Sequence, residues 1–304
     1  MSEFTDLFED GYVEPKADEK AALIAELQSG NYKLSFSSLS AFAVSPRAFI
    51  AYKLQEEKNT AAMLLGSAVH CLILEPEKYA ERYFIAPDVN GATKEGKKAW
   101  EKIYADFVCE PEPDFKMKID DIIKAVKDST GVIVLPGKVD NEAKFRARSV
   151  LRNSACRYVL DSITKTEVEV NWEFCGINFR GFIDGKGHDG KQGIILDLKN
   201  MPDATLYKAQ SAIWSRRLHW QAFGYDKAVG GGNACHIAAV DGNGETSVHC
   251  FSDKNLWSAE RQLAKYCYEF KRCILESMFD PTIWDSSQDF WLKTDMNTHG
   301  INYL

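Results

Sequence analysis

The sequence predicts a mixed domain of α/β or α+β class, with its strands gathered in the second half of the chain. Three observations carry this. The run EVEVNWEF (167–174) alternates apolar and polar residues, as a half-buried strand does, and GINFRGFID (176–184) reads as its hairpin partner. GIILDLK (193–199) is a compact apolar strand entered through the Asp189-Gly190 turn signal. Helical periodicity occupies the chain before and after these strands, the arrangement of a sheet flanked by helices.

From the N-terminus, residues 1–20 are acidic and turn-prone and are expected to form a flexible arm, with one domain over 21–304. A short helix over 21–28 should end at Ser29-Gly30. In LSFSSLSAFAVSPRAFIAYKL (34–54), Ser37 or Ser38 is expected to cap a helix, and Ser45-Pro46 to interrupt or restart it. AAMLLGSAVHCLILE (61–75) is the most apolar helical stretch. It is too short to span a bilayer, so it should be buried, and His70 in its middle needs a partner. Gly66, one turn earlier, would let neighbouring backbone approach. Residues 91–160, rich in Lys and Glu, predict a helical insertion broken near Pro111-Pro113 and around 130–136.

After the strands, one long helix is expected from Asp203 to Ala228, stopped by Gly230-Gly231-Gly232. CHIAAVD and TSVHCFS should pair around Asn243-Gly244, and a last helix should run from Leu256 to Met278 ahead of the aromatic segment WDSSQDFW.

Composition bounds the function. Apolar residues make up 45% and charged residues 27%, an ordinary soluble balance, and no run is long enough to cross a membrane. With no leader-like segment, a cytoplasmic setting is expected. The 8 cysteines form no C-x-x-C pair, so free thiols are expected rather than a zinc ribbon. A net charge of −7 argues against a protein that coats nucleic acid, but not against an enzyme with a carboxylate-rich site. There is no phosphate-loop motif, hence no built-in motor.

The chemistry concentrates in the strands. Alternation puts Ile195, Asp197 and Lys199 on one face and Ile194, Leu196 and Leu198 on the other. A plain Asp–Lys ion pair fits those seven residues as well as a catalytic pair does. Asp184 lies thirteen residues earlier, on the face it shares with Phe182, and hairpin pairing would bring it towards Asp197. Two converging acids favour a hard divalent cation, Mg²⁺ or Mn²⁺, and such a cation with a nearby lysine suits phosphodiester hydrolysis. Glu167 or Glu169 could add a carboxylate, or be a solvated strand position. Gln221 and Tyr225, four apart, share a helical face with Trp214 and Leu218. Arg180, Lys191, Lys208, Arg216 and Arg217, and less clearly Lys97 and Lys98, are candidate phosphate contacts or simple surface charges. Glu75, five residues after His70, suits a capping or supporting role.

The ordered set GSAVHCLILEPEKY, EVEVNW, RGFID, ILDLK and QAFGY, with APDVNGATKEGKKAW, resembles the RecB-like nucleases of the PD-(D/E)XK superfamily. Within them it is most similar to the phage-type exodeoxyribonuclease VIII (RecE) group, over roughly residues 35–280. The resemblance implies a restriction-endonuclease-like core, a central mixed sheet flanked by helices with helical elaborations. It implies His70, Asp184 and Asp197 as metal ligands for Mg²⁺, with Mn²⁺ substituting, Lys199 as the catalytic lysine, and Gln221 and Tyr225 as DNA contacts. It further implies digestion of linear duplex DNA from 5′ ends, leaving 3′ tails for a RecT-like annealing protein, in a homo-oligomeric ring of phage or prophage origin acting in the bacterial host cytoplasm. A RecB-type endonuclease or single-strand nuclease, or a catalytically silent DNA-end-binding protein, are the competing expectations. No iron–sulfur cluster is expected: the early C-P position reads Ser45-Pro46, and Cys250, Cys267 and Cys273 lack compact spacing. Asn200 departs from the small hydroxyl residues usual after the lysine in that group.

Overall fold

A computed structural model of the chain describes residues 16–55, 60–86, 89, 92–108 and 117–279. Pro111-Pro113, Cys109, the segment WDSSQDFW and residues 1–15 lie outside the described residues.

Helices α1 (Ala17–Gln28), α2 (Phe36–Phe42), α3 (Pro46–Leu54), α4 (Ala61–Leu74) and a one-turn α5 (Tyr79–Arg82) precede the strands. The expected arm therefore ends earlier than residue 20, because ADEK already forms the first turn of α1. The cap of α2 is Ser35, not Ser37 or Ser38: its side chain accepts the Ser38 N–H, and Ser38 returns the bond in a reciprocal capping box. Ser45 caps α3 with Pro46 at its first position, the expected restart.

The 91–160 region contains helices α6 (Lys94–Val108), α7 (Ile119–Thr130), α8 (Gly137–Arg152) and α9 (Ser154–Leu160). It also holds what the periodicity hides. Strand β2 (Ile133–Pro136) pairs in parallel with β1 (Tyr83–Ala86), just ahead of the region, as a two-stranded sheet. Gly131, at φ 75°, stops α7 in the left-handed cap that favours glycine.

The main sheet has the order β3 (Ile163–Phe174), β4 (Ile177–His188), β5 (Gly193–Asn200), β6 (Ala234–Val240), β7 (Thr246–Cys250). Only β5–β6 is parallel; the other pairs are antiparallel, so the sheet is mixed. The crossover between β5 and β6 carries α10 (Leu206–Ser215) and α11 (Leu218–Ala228), and α12 (Asp253–Leu275) follows β7. The expected single helix 203–228 is thus two. The break falls at Arg217, whose φ is 58° and whose guanidinium lies 5.4 Å from the Trp220 ring centroid and donates to the Ala43 carbonyl at 3.4 Å. Tertiary anchoring bends the chain here without Pro or Gly: Trp220 Nε1 and His219 Nε2 share the side-chain oxygen Oε1 of Gln262 on α12, both at 3.1 Å. Trp214 accordingly packs against His219, ring planes tilted by 51°, instead of extending the Gln221 face.

The two faces of the sheet are covered differently. Ile195 and Ile237 join Phe36, Phe42, Phe49, Trp220, Leu263 and Phe270 in one apolar cluster. Ile194, Leu196 and Leu198 join Ala68, Val69, Tyr79, Leu135 and Val150 in the other. The alternation expected for β5 therefore holds residue by residue. Helix α4 is less buried than its composition suggests: Ala68, Val69 and Cys71 face the sheet, while Met63 is 59% exposed. The β6–β7 turn is tied by the buried Asp241 carboxylate, which accepts the N–H groups of Asn243, Glu245 and Ala204.

Candidate active site at a fork in the sheet

The β4–β5 ladder runs from His188↔Gly193 only as far as Gly185↔Leu196. Beyond it the strands part, and the Leu198 peptide would face β4 unpaired, a costly state for buried backbone. Side chains fill the gap. The Leu198 N–H donates to Asp184 Oδ2 at 2.7 Å, and the Leu198 carbonyl accepts from His70 Nε2 at 2.9 Å. His70 reaches there because α4 packs over β4 and β5.

The fork coincides with a change of face. Ile183 lies in the first apolar cluster, whereas a Cβ on Gly185 would sit 3.1 Å from Ile163, which packs on the second. Opposite, Glu167 occupies left-handed backbone at φ 50°, between the pairs Thr166↔Gly185 and Val168↔Ile183. An L-residue gives up about 1 kcal/mol or more in that region. The strain turns Glu167 towards the site: one ligand atom each from His70, Glu167 and Asp184 lie within 4.8 Å of one another.

Asp197, on the other side of β5, accepts from Lys199 Nζ at 2.8 Å and Gln221 Nε2 at 3.3 Å through the same oxygen, Oδ1. Gln221 Nε2 also donates to the Tyr225 hydroxyl at 2.9 Å. Tyr225 is 4% exposed, with its ring edge-on to Phe36 and Trp172, and Gly181 makes room for it: a Cβ there would lie 2.6 Å from Tyr225 Cε1. The Gln221–Tyr225 pair thus braces Asp197 from behind. Gly66, by contrast, has only the Asn200 side chain at 3.8 Å from a would-be Cβ, so no close backbone approach explains it.

Electrostatics follow from this geometry. Asp184 is 8% exposed, and burial pushes its carboxyl above the usual range, with Asp197 adding to the push and His70 opposing it. Burial and then Asp184 push Glu167 up as well, although its side chain reaches the exposed rim. Burial pulls the Lys199 ammonium down, but Asp197 and Asp184 more than offset this, and its net shift is upward.

The donor set fits a divalent cation. A carbonyl can only accept, so the His70 Nε2–H donates to Leu198 and Nδ1 is the ring atom turned towards the acidic group. Nδ1 lies 3.6 Å from Asp184 Oδ2, beyond hydrogen-bond range. With Glu167 and Asp197 nearby, three carboxyl groups share one ammonium, and a cation between the acceptors would balance the excess. Among the expected ligands the compact group is His70, Asp184 and Glu167; Asp197 stands beside it, engaged by Lys199 and Gln221.

The basic residues divide. Arg180 donates through Nε to Glu169 at 2.8 Å, so Glu169 is committed there instead of to the cation group. Arg217 is a packing residue at the helix break, Arg216 is half-buried beside it, and Lys191, Lys208, Lys97 and Lys98 are exposed. Reading the sequence missed two parts. One is the Leu198 main chain. The other is Arg82, whose Nη1 lies 2.6 Å from Glu75, itself buried, the C-cap residue of α4 and also paired with Lys78; this locks the end of α4. The described cysteines are free, and Cys71, Cys156, Cys235, Cys267 and Cys273 are buried.

No helix among the described residues is long and apolar enough to cross a membrane. No curated protein matches the chain. A solved structure from Eubacterium rectale, named "Putative exonuclease", superposes with a TM-score of 0.52 at 13% identity, covering 87% of this chain and 88% of that one, which shows a shared fold. The profile of the PDDEXK-like domain of unknown function (DUF3799) matches residues 35–230, the stretch that holds the fork, His70, both aspartates, Lys199 and Gln221. The mixed sheet with helices on both faces is the core of that fold, and the chain belongs to this PDDEXK-like family.

Proposed function

We propose that this chain is a metal-dependent deoxyribonuclease that digests linear duplex DNA from its ends, 5′ to 3′, leaving 3′ single-stranded tails. One observation carries the nuclease reading: His70, Glu167 and Asp184 converge at the strand fork beside an ion-paired Asp197–Lys199. A divalent cation bound there would polarise the scissile phosphate and acidify the attacking water. Mg²⁺ is the proposed ion, with Mn²⁺ substituting.

The chain's own residues have separable tasks. The His70 Nε2–H bond to Leu198 fixes the ring so that Nδ1 faces the ligand position. Asp197, held by Gln221, aims the Lys199 ammonium. Because its pKa is shifted upward on balance, Lys199 stays protonated at neutral pH, so it stabilises charge building on the phosphate and is not a base. Tyr225 and Gly181 keep that brace in register.

End polarity, a ring-shaped homo-oligomer, an annealing partner and a role in phage recombination within the host cytoplasm rest on the sequence resemblance alone. The test is to incubate the pure chain with end-labelled linear duplex and with closed circular duplex in Mg²⁺. Loss of label from the linear DNA with the circle intact is expected. Cleavage of the circle would replace the exonuclease reading with an endonuclease, and inactivity on all DNA would leave a silent end-binding protein.

A further inference from the structure

The outer face of the β3–β4 hairpin leads straight into the fork. Register places Glu169 opposite Phe182 and Asn171 opposite Arg180, one same-face step of about 6.6 Å at a time from Asp184. Helix α4 covers this face at Asp184, but Phe182 beyond it is 44% exposed, and so are Arg180, Glu169 and Asn171. The residues of β4 that point the other way, Ile177, Phe179 and Ile183, are buried in the core. The strand is therefore held rigidly while its aromatic ring stands in solvent.

The Arg180 guanidinium lies 5.2 Å from the Phe182 ring centroid. The guanidinium bonds Glu169 through Nε, which leaves the Nη groups for another acceptor. Lys33 reaches the same shelf through Asn171 at 2.9 Å. Two cations thus accompany one acid around an exposed ring, next to a candidate phosphodiester-cleaving centre.

Resting on the nuclease reading, we propose that this shelf is a single-strand subsite: a base stacks on Phe182 and the adjoining phosphate is held by Arg180. Base–aromatic stacking tolerates any sequence, because every base has a π-face, and a guanidinium packed on the ring extends the platform. The occupant is a single DNA strand, since a flat ring at a strand surface offers nothing to a base still paired in a duplex.

The test measures anisotropy of a labelled, mixed-sequence single-stranded 12-mer with the full chain in EDTA, where no cleavage intervenes. Phe182→Ala should weaken binding at least about fivefold, the lower end of what one base stack contributes, and Phe182→Trp should restore it. Arg180→Ala should weaken binding and flatten the salt dependence by about 0.7 in log–log slope, one phosphate contact on a single strand. Trp257→Ala is the matched control: Trp257 is 53% exposed under Arg261 at 4.8 Å, but on α12. It should bind as the unmodified chain does. Equal binding by Phe182→Ala, an equal loss in Trp257→Ala, or no single-strand binding by the unmodified chain each overturns the subsite. The nuclease reading fails separately: inactive protein that still shows the Phe182 effect keeps the shelf, and active protein indifferent to Phe182 loses only the shelf.

Discussion

Asp184→Asn separates a metal ligand from a structural prop. The substitution keeps the shape and an oxygen that can accept the Leu198 N–H, now at 2.7 Å from Oδ2, but removes the charge. In the absence of metal, two effects oppose. A bond to a charged acceptor is worth about 1.5–3 kcal/mol and a neutral one about 1, so roughly 1 kcal/mol is lost. Against this, burial and Asp197 already disfavour the anion, so removing the charge acts in the opposite direction. The melting temperature in EDTA should therefore stay within a few degrees of the unmodified chain. With Mg²⁺ at about a hundred times its Kd, the unmodified protein should gain about 2.7 kcal/mol. At about 1.6 °C per kcal/mol for a chain of 304 residues, that is an upward shift of about 4 °C. The variant should show almost none of it. Differential scanning calorimetry in EDTA and across an Mg²⁺ titration reads both quantities. An equal Mg²⁺ shift in the variant would remove Asp184 from the ligand set. A collapse of the EDTA melting temperature would make it a prop for the fork and nothing more.

Three further outcomes follow from the same geometry. Glu167→Gly relaxes the backbone at φ 50° and should leave metal-free stability unchanged or raised by up to about 1 kcal/mol, while weakening Mg²⁺ binding by calorimetric titration; a loss of stability would show that the strain is not real. Gly181→Ala puts a Cβ 2.6 Å from Tyr225 and should cost about 1–3 kcal/mol in denaturant melts, with cleavage falling further as Gln221 lets Asp197 go. Because Asp184 and Glu167 titrate above the usual carboxylate range, protons compete for the site at milder acidity than at an ordinary pair. Mg²⁺ affinity should fall as pH drops through those raised values, while metal-free stability should rise over the same interval, since the folded state holds the protons more tightly than the unfolded chain; parallel calorimetric titrations check both signs.

Much of this site was legible in the sequence because its strands obey alternation. Ile195 and Asp197 fall on one face of β5 and Leu196 and Leu198 on the other, as a two-residue period requires. His70 was legible as a polar residue on an apolar helix face that had to find a partner. What escaped depends on backbone that departs from its period. No glycine or proline marks Glu167, so its left-handed turn is invisible locally, and the sequence leaves open whether Glu167 or Glu169 turns to the site. The same holds at Arg217, where an indole and an imidazole sharing the Gln262 side-chain oxygen overrule helix propensity. Strands β1 and β2, four residues each amid helix-forming sequence, are too short to show a period.

The parting of β4 from β5 leaves the Leu198 amide as an indicator wired to the site. Its proton is gripped by the same Asp184 oxygen that faces His70, so any ion drawing on that carboxylate must loosen or re-aim the grip. The ¹⁵N–¹H resonance of one backbone position, and its rate of exchange with deuterium, should therefore track occupancy in a protein whose other core amides stay still.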